Sequence, residues 1–224
     1  MNIVVDNVTK TFGNTNVIED ISMEMQSGHV YGFQGINGCG KTMLMRLISG
    51  LIHPTKGQIL IDGEALHGEN SFPKSMGLLI ENPAFLNSYS GYQNLEMLAS
   101  ISGKIGKEEV LLALERVGLS ENANKKYGKY SLGMRQRLGI ACAIMERPEL
   151  ILLDEPFISL DEAAIDLVAD IIRQEKERGA LIILACHDYG YLSGASDEIF
   201  KLVGGKLAHH ITKCENDVFS EVSQ

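Results

Sequence analysis

Between an apolar run, HVYGF at 29–33, and a run of helical spacing, MLMRLISG at 43–50, the chain reads GINGCGKT at residues 35–42. Glycines at 35, 38 and 40 let the backbone turn tightly and aim its N–H groups inward. A helix that starts directly afterwards adds the positive end of its dipole, so the segment predicts a cradle for a phosphate chain. In such a loop Lys41 reaches the terminal phosphates and the Thr42 hydroxyl faces the accompanying Mg²⁺. A glycine turn that merely precedes Lys and Thr is the competing explanation, and the strand and helix on either side weigh against it. The nucleotide-binding set expected here is Gly35, Asn37, Gly38, Cys39, Gly40, Lys41, Thr42 and Met43. Two readings of Cys39 stay open. Its thiol either feels the helix dipole and Lys41, and is reactive until ATP covers it, or fills space beneath the loop as a small apolar side chain.

A loop of this kind needs a strand before it and a helix after it, and the rest of the chain repeats that alternation. SMGLLI at 75–80, LILLD at 150–154 and ALIILAC at 180–186 read as buried strands separated by helical stretches. They predict an α/β fold with a mostly parallel core sheet. NIVVDNV and QILIDG suit an antiparallel β edge subdomain, and IFKLVGGKLAHH predicts a hairpin around Gly204 and Gly205. From about residue 91 to 145 the strand signal gives way to helical spacing, with Gly118 placed to stop a helix. One domain is therefore expected, with its core at about 1–87 and 146–211 and an inserted helical lobe at about 88–145. The polar end after Ile211 is expected to fray.

LILLDEP at 150–156 is an apolar strand that ends in two carboxylates. Ligands gather at the carboxyl edge of a parallel sheet, which makes Asp154 a candidate for the Mg²⁺ shell and Glu155 a candidate general base. Taken alone, such a pair could simply face solvent. Its company with the glycine loop argues otherwise.

Composition narrows the partners. The formal net charge is −9, so no general field draws the chain to nucleic acid or to anionic lipid. Cys39, Cys142, Cys186 and Cys214 are far apart and contain no CxxC pair, which predicts neither a disulfide framework nor a zinc site and suits a reducing cytoplasm. The start, MNIVVDNVTK, lacks the pattern of a signal peptide. No apolar run approaches the length that a membrane helix needs. Service to a membrane would run through a partner.

KYSLGMRQRL at 129–138 makes the class specific. It resembles the signature of ABC ATP-binding subunits in the YSLGM variant of ABC-2 and bacitracin-resistance-like exporters. Ser131 suits a helix N-cap and Gly133 leaves backbone N–H groups accessible, so the stretch is a second phosphate cradle. The resemblance covers the chain from Val4 to about His210. It implies that Ser131, Leu132, Gly133 and Met134 of one subunit meet the ATP held by the phosphate loop of another, in a homodimer or heterodimer. It also implies adenine stacking on Phe12, Asp161 at the dimer seam, and His187 at the γ-phosphate as a catalytic residue with Glu155 and Lys41. Outside the resemblance, Phe12 reads as a strand-edge packing residue, Asp161 as an ordinary helix cap and His187 as a lone histidine. At 81 the family usually has Gln; here Glu81 is either a third oxygen for Mg²⁺ or a solvated carboxylate. The function expected is ATP hydrolysis that powers an exporter from the inner face of the cell membrane, with ATP and Mg²⁺ and separate transmembrane permease subunits. The alternative is a soluble ABC ATPase acting as an assembly or switch module. NKKY at 124–127 lacks the aspartate of a guanine-reading loop, which disfavours a GTPase.

Overall fold

In the computed structural model, which describes residues 1–66, 72–81, 83–213 and 219–221, the chain builds two sheets. One is antiparallel and made by β1 (Asn2–Phe12), β2 (Thr15–Gln26), β4 (Lys56–Ile61) and β5 (Glu64–Ala65), in the order β2-β1-β4-β5. The other contains β3 (Val30–Gln34), β6 (Met76–Leu79), β7 (Leu150–Asp154), β8 (Leu181–Cys186), β9 (Glu198–Val203), β10 (Lys206–Lys213) and β11 (Phe219–Glu221). Its order is β11-β10-β9-β3-β8-β7-β6. From β9 across to β6 the strands are parallel, and β10 and β11 add an antiparallel edge.

Every residue of β7 and β8 is buried, as expected of central strands covered on both faces. Successive side chains point to opposite faces, so the two strands feed two cores. Leu150, Leu152, Leu181 and Ile183 join β1, β2 and α1 (Lys41–Ile48) on one side. Ile151, Leu153, Ile182 and Leu184 join α4 (Leu132–Ile144) and α5 (Glu162–Glu177) on the other. The sheet is thus a wall with the phosphate loop at the carboxyl end of its middle strand, β3.

The helical region contains α2 (Gly91–Ser102), α3 (Lys107–Arg116) and α4. Ser90 starts α2 with a capping box: its hydroxyl accepts from Gln93 N at 3.1 Å, and the Gln93 side chain accepts from Ser90 N at 2.9 Å. Gly118, at φ 67°, ends the turn after α3. Helix α4 crosses β6 so closely that a Cβ at Gly77 would collide with the Ala143 carbonyl oxygen, so only glycine fits between helix and sheet. Helix α3 is tied to α5 by Arg116, which donates to the buried Glu175 at 2.6 Å. A last helix, α6 (Tyr189–Ala195), follows β8.

Two features differ from the sequence expectation. Strand β2 has no counterpart in it, although its burial alternates at Ile21, Met23 and Met25 in strand fashion. Among the described residues beyond Ile211, β10 runs to Lys213, which pairs with Phe219 of β11, where fraying is expected from the sequence. An edge strand's free N–H and C=O groups make such an addition favourable. Phe219 packs edge-on to Tyr189 as well, with ring centroids 6.4 Å apart. Cys214 lies outside the described residues.

Candidate active site

Strand β3 delivers the chain to the loop from the middle of the parallel sheet, between β8 and β9. Gly40 immediately precedes α1 at φ 113°, and a Cβ there would sit 2.8 Å from Ile18 Cδ1. Both facts require glycine. Lys41 is only 6% exposed, and its ammonium donates to the carbonyls of Gly35 at 2.6 Å and Ile36 at 3.3 Å. A buried charge needs such partners. Asn37, Gly38, Thr42 and Met43 line a cleft of about 310 Å³ that Asp154, Glu155, Glu81 and Arg46 also line.

Asp154 ends β7, buried, and accepts from the Thr42 hydroxyl at 2.6 Å. Burial pushes its carboxyl above the usual aspartate range. Glu155 and Glu81 push the same way, whereas the Thr42 hydroxyl and the Lys41 ammonium pull back. Glu155 sits in a left-handed backbone conformation at φ 48°. Few non-glycine residues adopt that region without a reason. Two backbone contacts hold it there. Its N–H donates to Ala185 O at 2.8 Å, and its carbonyl accepts from the Gln136 side chain at 2.9 Å. The carboxylate then meets His187, whose Nδ1 lies 2.9 Å from both of its oxygens. Glu81, also left-handed at φ 58°, pairs with Arg46 at 2.6 Å.

The signature stretch starts α4. Here the Ser131 hydroxyl accepts from Met134 N at 3.2 Å. That is the bond an N-cap makes. Leu132 is 67% exposed. A Cβ at Gly133 would meet the Ser159 carbonyl oxygen at 2.8 Å, so the glycine also lets α4 pack on the loop that follows Glu155. None of residues 131–134 lines the cleft around Lys41. Asp161 caps α5, accepting from Ala164 N at 2.9 Å, and is exposed. Phe12 ends β1 half-exposed, with Lys10 Nζ 5.1 Å above its ring.

Two residues went unnoticed in the sequence. Gln136 is a buried amide on a helix face, and Arg46 is the only basic residue in α1 after Lys41; neither spacing nor type announces a partner 19 or 35 positions away.

Cys39 decides between its two readings. It is 4% exposed, belongs to the core cluster beneath the loop, and leaves no room for a Cβ at Gly35, which would collide with its sulfur. The reactive-thiol expectation is overturned, because a reagent cannot reach a thiol packed under the backbone. Maleimide should label Cys39 in the folded protein at a negligible rate, with or without MgATP, and rapidly after denaturation. Fast labelling that MgATP suppresses, read by peptide mass, would contradict this. Burial also pushes the thiols of Cys142 and Cys186 up to about 11.

A glycine loop between strand and helix, facing carboxylates at the end of a neighbouring parallel strand, defines a P-loop nucleoside triphosphatase. Residues 18–158 match the family described as ABC transporter. The ABC transporter ATP-binding protein YybJ of Bacillus subtilis is 45% identical over 201 residues, which span 90% of this chain and 92% of YybJ. Bacitracin transport ATP-binding protein BcrA of Enterococcus faecalis is 36% identical over 215 residues, 94% of this chain and 69% of BcrA. Among solved structures, a dimeric ATP-binding cassette in a post-hydrolysis state bound to ADP and Pi superposes with a TM-score of 0.85 at 21% identity. That likeness covers 94% of this chain and 98% of the other. The chain belongs to the ABC transporter family, as an ATP-binding and ATP-hydrolysing subunit.

Proposed function

We propose that this chain is the motor of a membrane exporter, in which two copies close on two ATP molecules and separate transmembrane permease subunits carry the substrate. The observation that carries the paired arrangement is the start of α4. Ser131 and Leu132 are exposed at a helix amino end, built to receive an anion, yet the segment 131–134 does not line its own chain's cleft. A second copy's phosphate tail is the ligand that suits it. Asp161, exposed at the head of α5, suits the seam between the copies.

Within each cleft, Lys41 exchanges its loop carbonyls for the terminal phosphates, and the N–H groups of the loop hold the remaining oxygens. Glu155 takes the proton of the attacking water as its oxygen bonds to the γ-phosphorus, and ADP leaves with the electrons of the broken P–O bond. His187 orients that carboxylate through its Nδ1 contact and, from the end of β8, is the residue assigned to the γ-phosphate. Phe12 offers its open face to the adenine. Thr42, Asp154 and Glu81 form an all-oxygen donor set, and a cation would relieve the burial cost that raises Asp154, so the residues fit Mg²⁺. When bound, Mg²⁺ neutralises phosphate charge.

Export is supported by the YSLGM signature, by Glu81, and by the 36% likeness to a protein named for bacitracin transport. Among the described residues, no helix is long and apolar enough to cross a membrane. The helical region instead exposes Met97, Ile101, Leu111 and Leu112, with Ile101 77% open. Such an apolar surface suits a permease on the cytoplasmic side of the membrane. Affinity capture of the tagged chain in mild detergent should retrieve a multispan membrane protein in stoichiometric amount. Recovery with soluble partners alone would overturn the transport reading.

A further inference from the structure

Beside Mg²⁺ chemistry, the end of β8 gathers a different set of donors. Cys186 and His187 are consecutive, and Glu155 lies opposite them. One ligand atom from each lies within 4.8 Å of the others. Parallel pairing of Asp154 with Ala185, and the Glu155 N–H bond to Ala185 O at 2.8 Å, fix the three backbones relative to one another. His187 Nδ1 is 2.9 Å from the Glu155 carboxylate, and the Cys186 sulfur lies within 4.8 Å of the ligand atoms of both.

We infer that Glu155, Cys186 and His187 form a second cation site, selective for a thiophilic ion such as Zn²⁺ over Mg²⁺, and that filling it stops ATP turnover. Thiolate, imidazole and carboxylate are the ligands of three-residue zinc sites, with metal–ligand distances of about 2.0 to 2.3 Å. The present spacing closes to that by a small rotation of the His187 side chain, which is 56% exposed, toward the buried sulfur. Mg²⁺ demands oxygen donors and gains nothing from sulfur or nitrogen. An ion reaches the buried sulfur past Glu155, which lines the cleft, and the exposed His187 side chain. Binding Zn²⁺ releases the thiol proton to solvent and consumes the lone pair of Glu155 that the proposed hydrolysis needs. The inhibition, though not the binding, rests on the reading of Glu155 as the base.

The test uses the full chain without nucleotide. Co²⁺ should bring in sulfur-to-cobalt charge-transfer absorption and tetrahedral visible bands, which Zn²⁺ removes and excess Mg²⁺ does not. Cys186→Ala should abolish the charge transfer and weaken Zn²⁺ by at least about 100-fold, since a direct ligand matters no less than its outer-shell support. Cys39→Ala and Cys142→Ala should retain it. ATP binding by the Cys186 variant checks its fold, and Cys186→Ser serves if Ala does not fold. Zn²⁺ should also inhibit the parent ATPase, with a midpoint displaced by the same factor in the variant. Absence of a thiolate band, its persistence in both Cys186 variants, or displacement of Zn²⁺ by Mg²⁺ would overturn the site. A filled site with undiminished turnover would leave the site standing and sink the role of Glu155 as base.

Discussion

Glu155→Gln should lower ATP turnover by about 100-fold or more while ATP affinity stays near that of the parent. Gln keeps the size and shape of the side chain but cannot accept the water proton. The contacts that hold the residue in its left-handed conformation are made by its backbone N–H and carbonyl, to Ala185 and the Gln136 amide, so the substitution leaves them in place. One amide oxygen still reaches His187. With binding intact and hydrolysis blocked, the closed pair of copies has no route to reopen and accumulates. Light scattering in MgATP should show the mass double for the variant. A variant that stays monomeric and hydrolyses at the parental rate would remove Glu155 from the chemistry.

The parts of this site that depend on chain-local rules were legible in the sequence. GINGCGKT announces a tight loop because glycine and a following helix are needed wherever backbone N–H groups must converge. LILLD matches β7 residue for residue, since a fully apolar run with a charged end suits a central parallel strand. Ser131 and Asp161 could be read as caps because capping is decided within a single helical turn. What stayed hidden depends on the fold bringing distant positions together. The bond from Gln136 to Glu155 and the pair of Arg46 with Glu81 join different elements, and no periodicity encodes them. The direction of the Cys39 side chain was equally hidden, because one residue's turn within the loop decides between cleft and core. Strand β2 escaped notice because its apolar positions are interrupted by acidic residues at 19, 20 and 24, which suit its solvent face.

The central claim is that each phosphate loop works with the signature of another copy. Lys41→Ala removes the ammonium at the loop, and Ser131→Arg fills the exposed start of α4 with bulk and charge. Each variant alone should lose turnover by about 100-fold or more, the scale of losing one preorganised donor. Mixed in equal amounts, half of the pairs combine one of each. Such a pair holds one site with both residues altered and one with neither, so ATPase activity should return to about a quarter of the parental rate if the two sites act independently. A mixture as inactive as its separate components would show that loop and signature act within one chain, and would contradict the account.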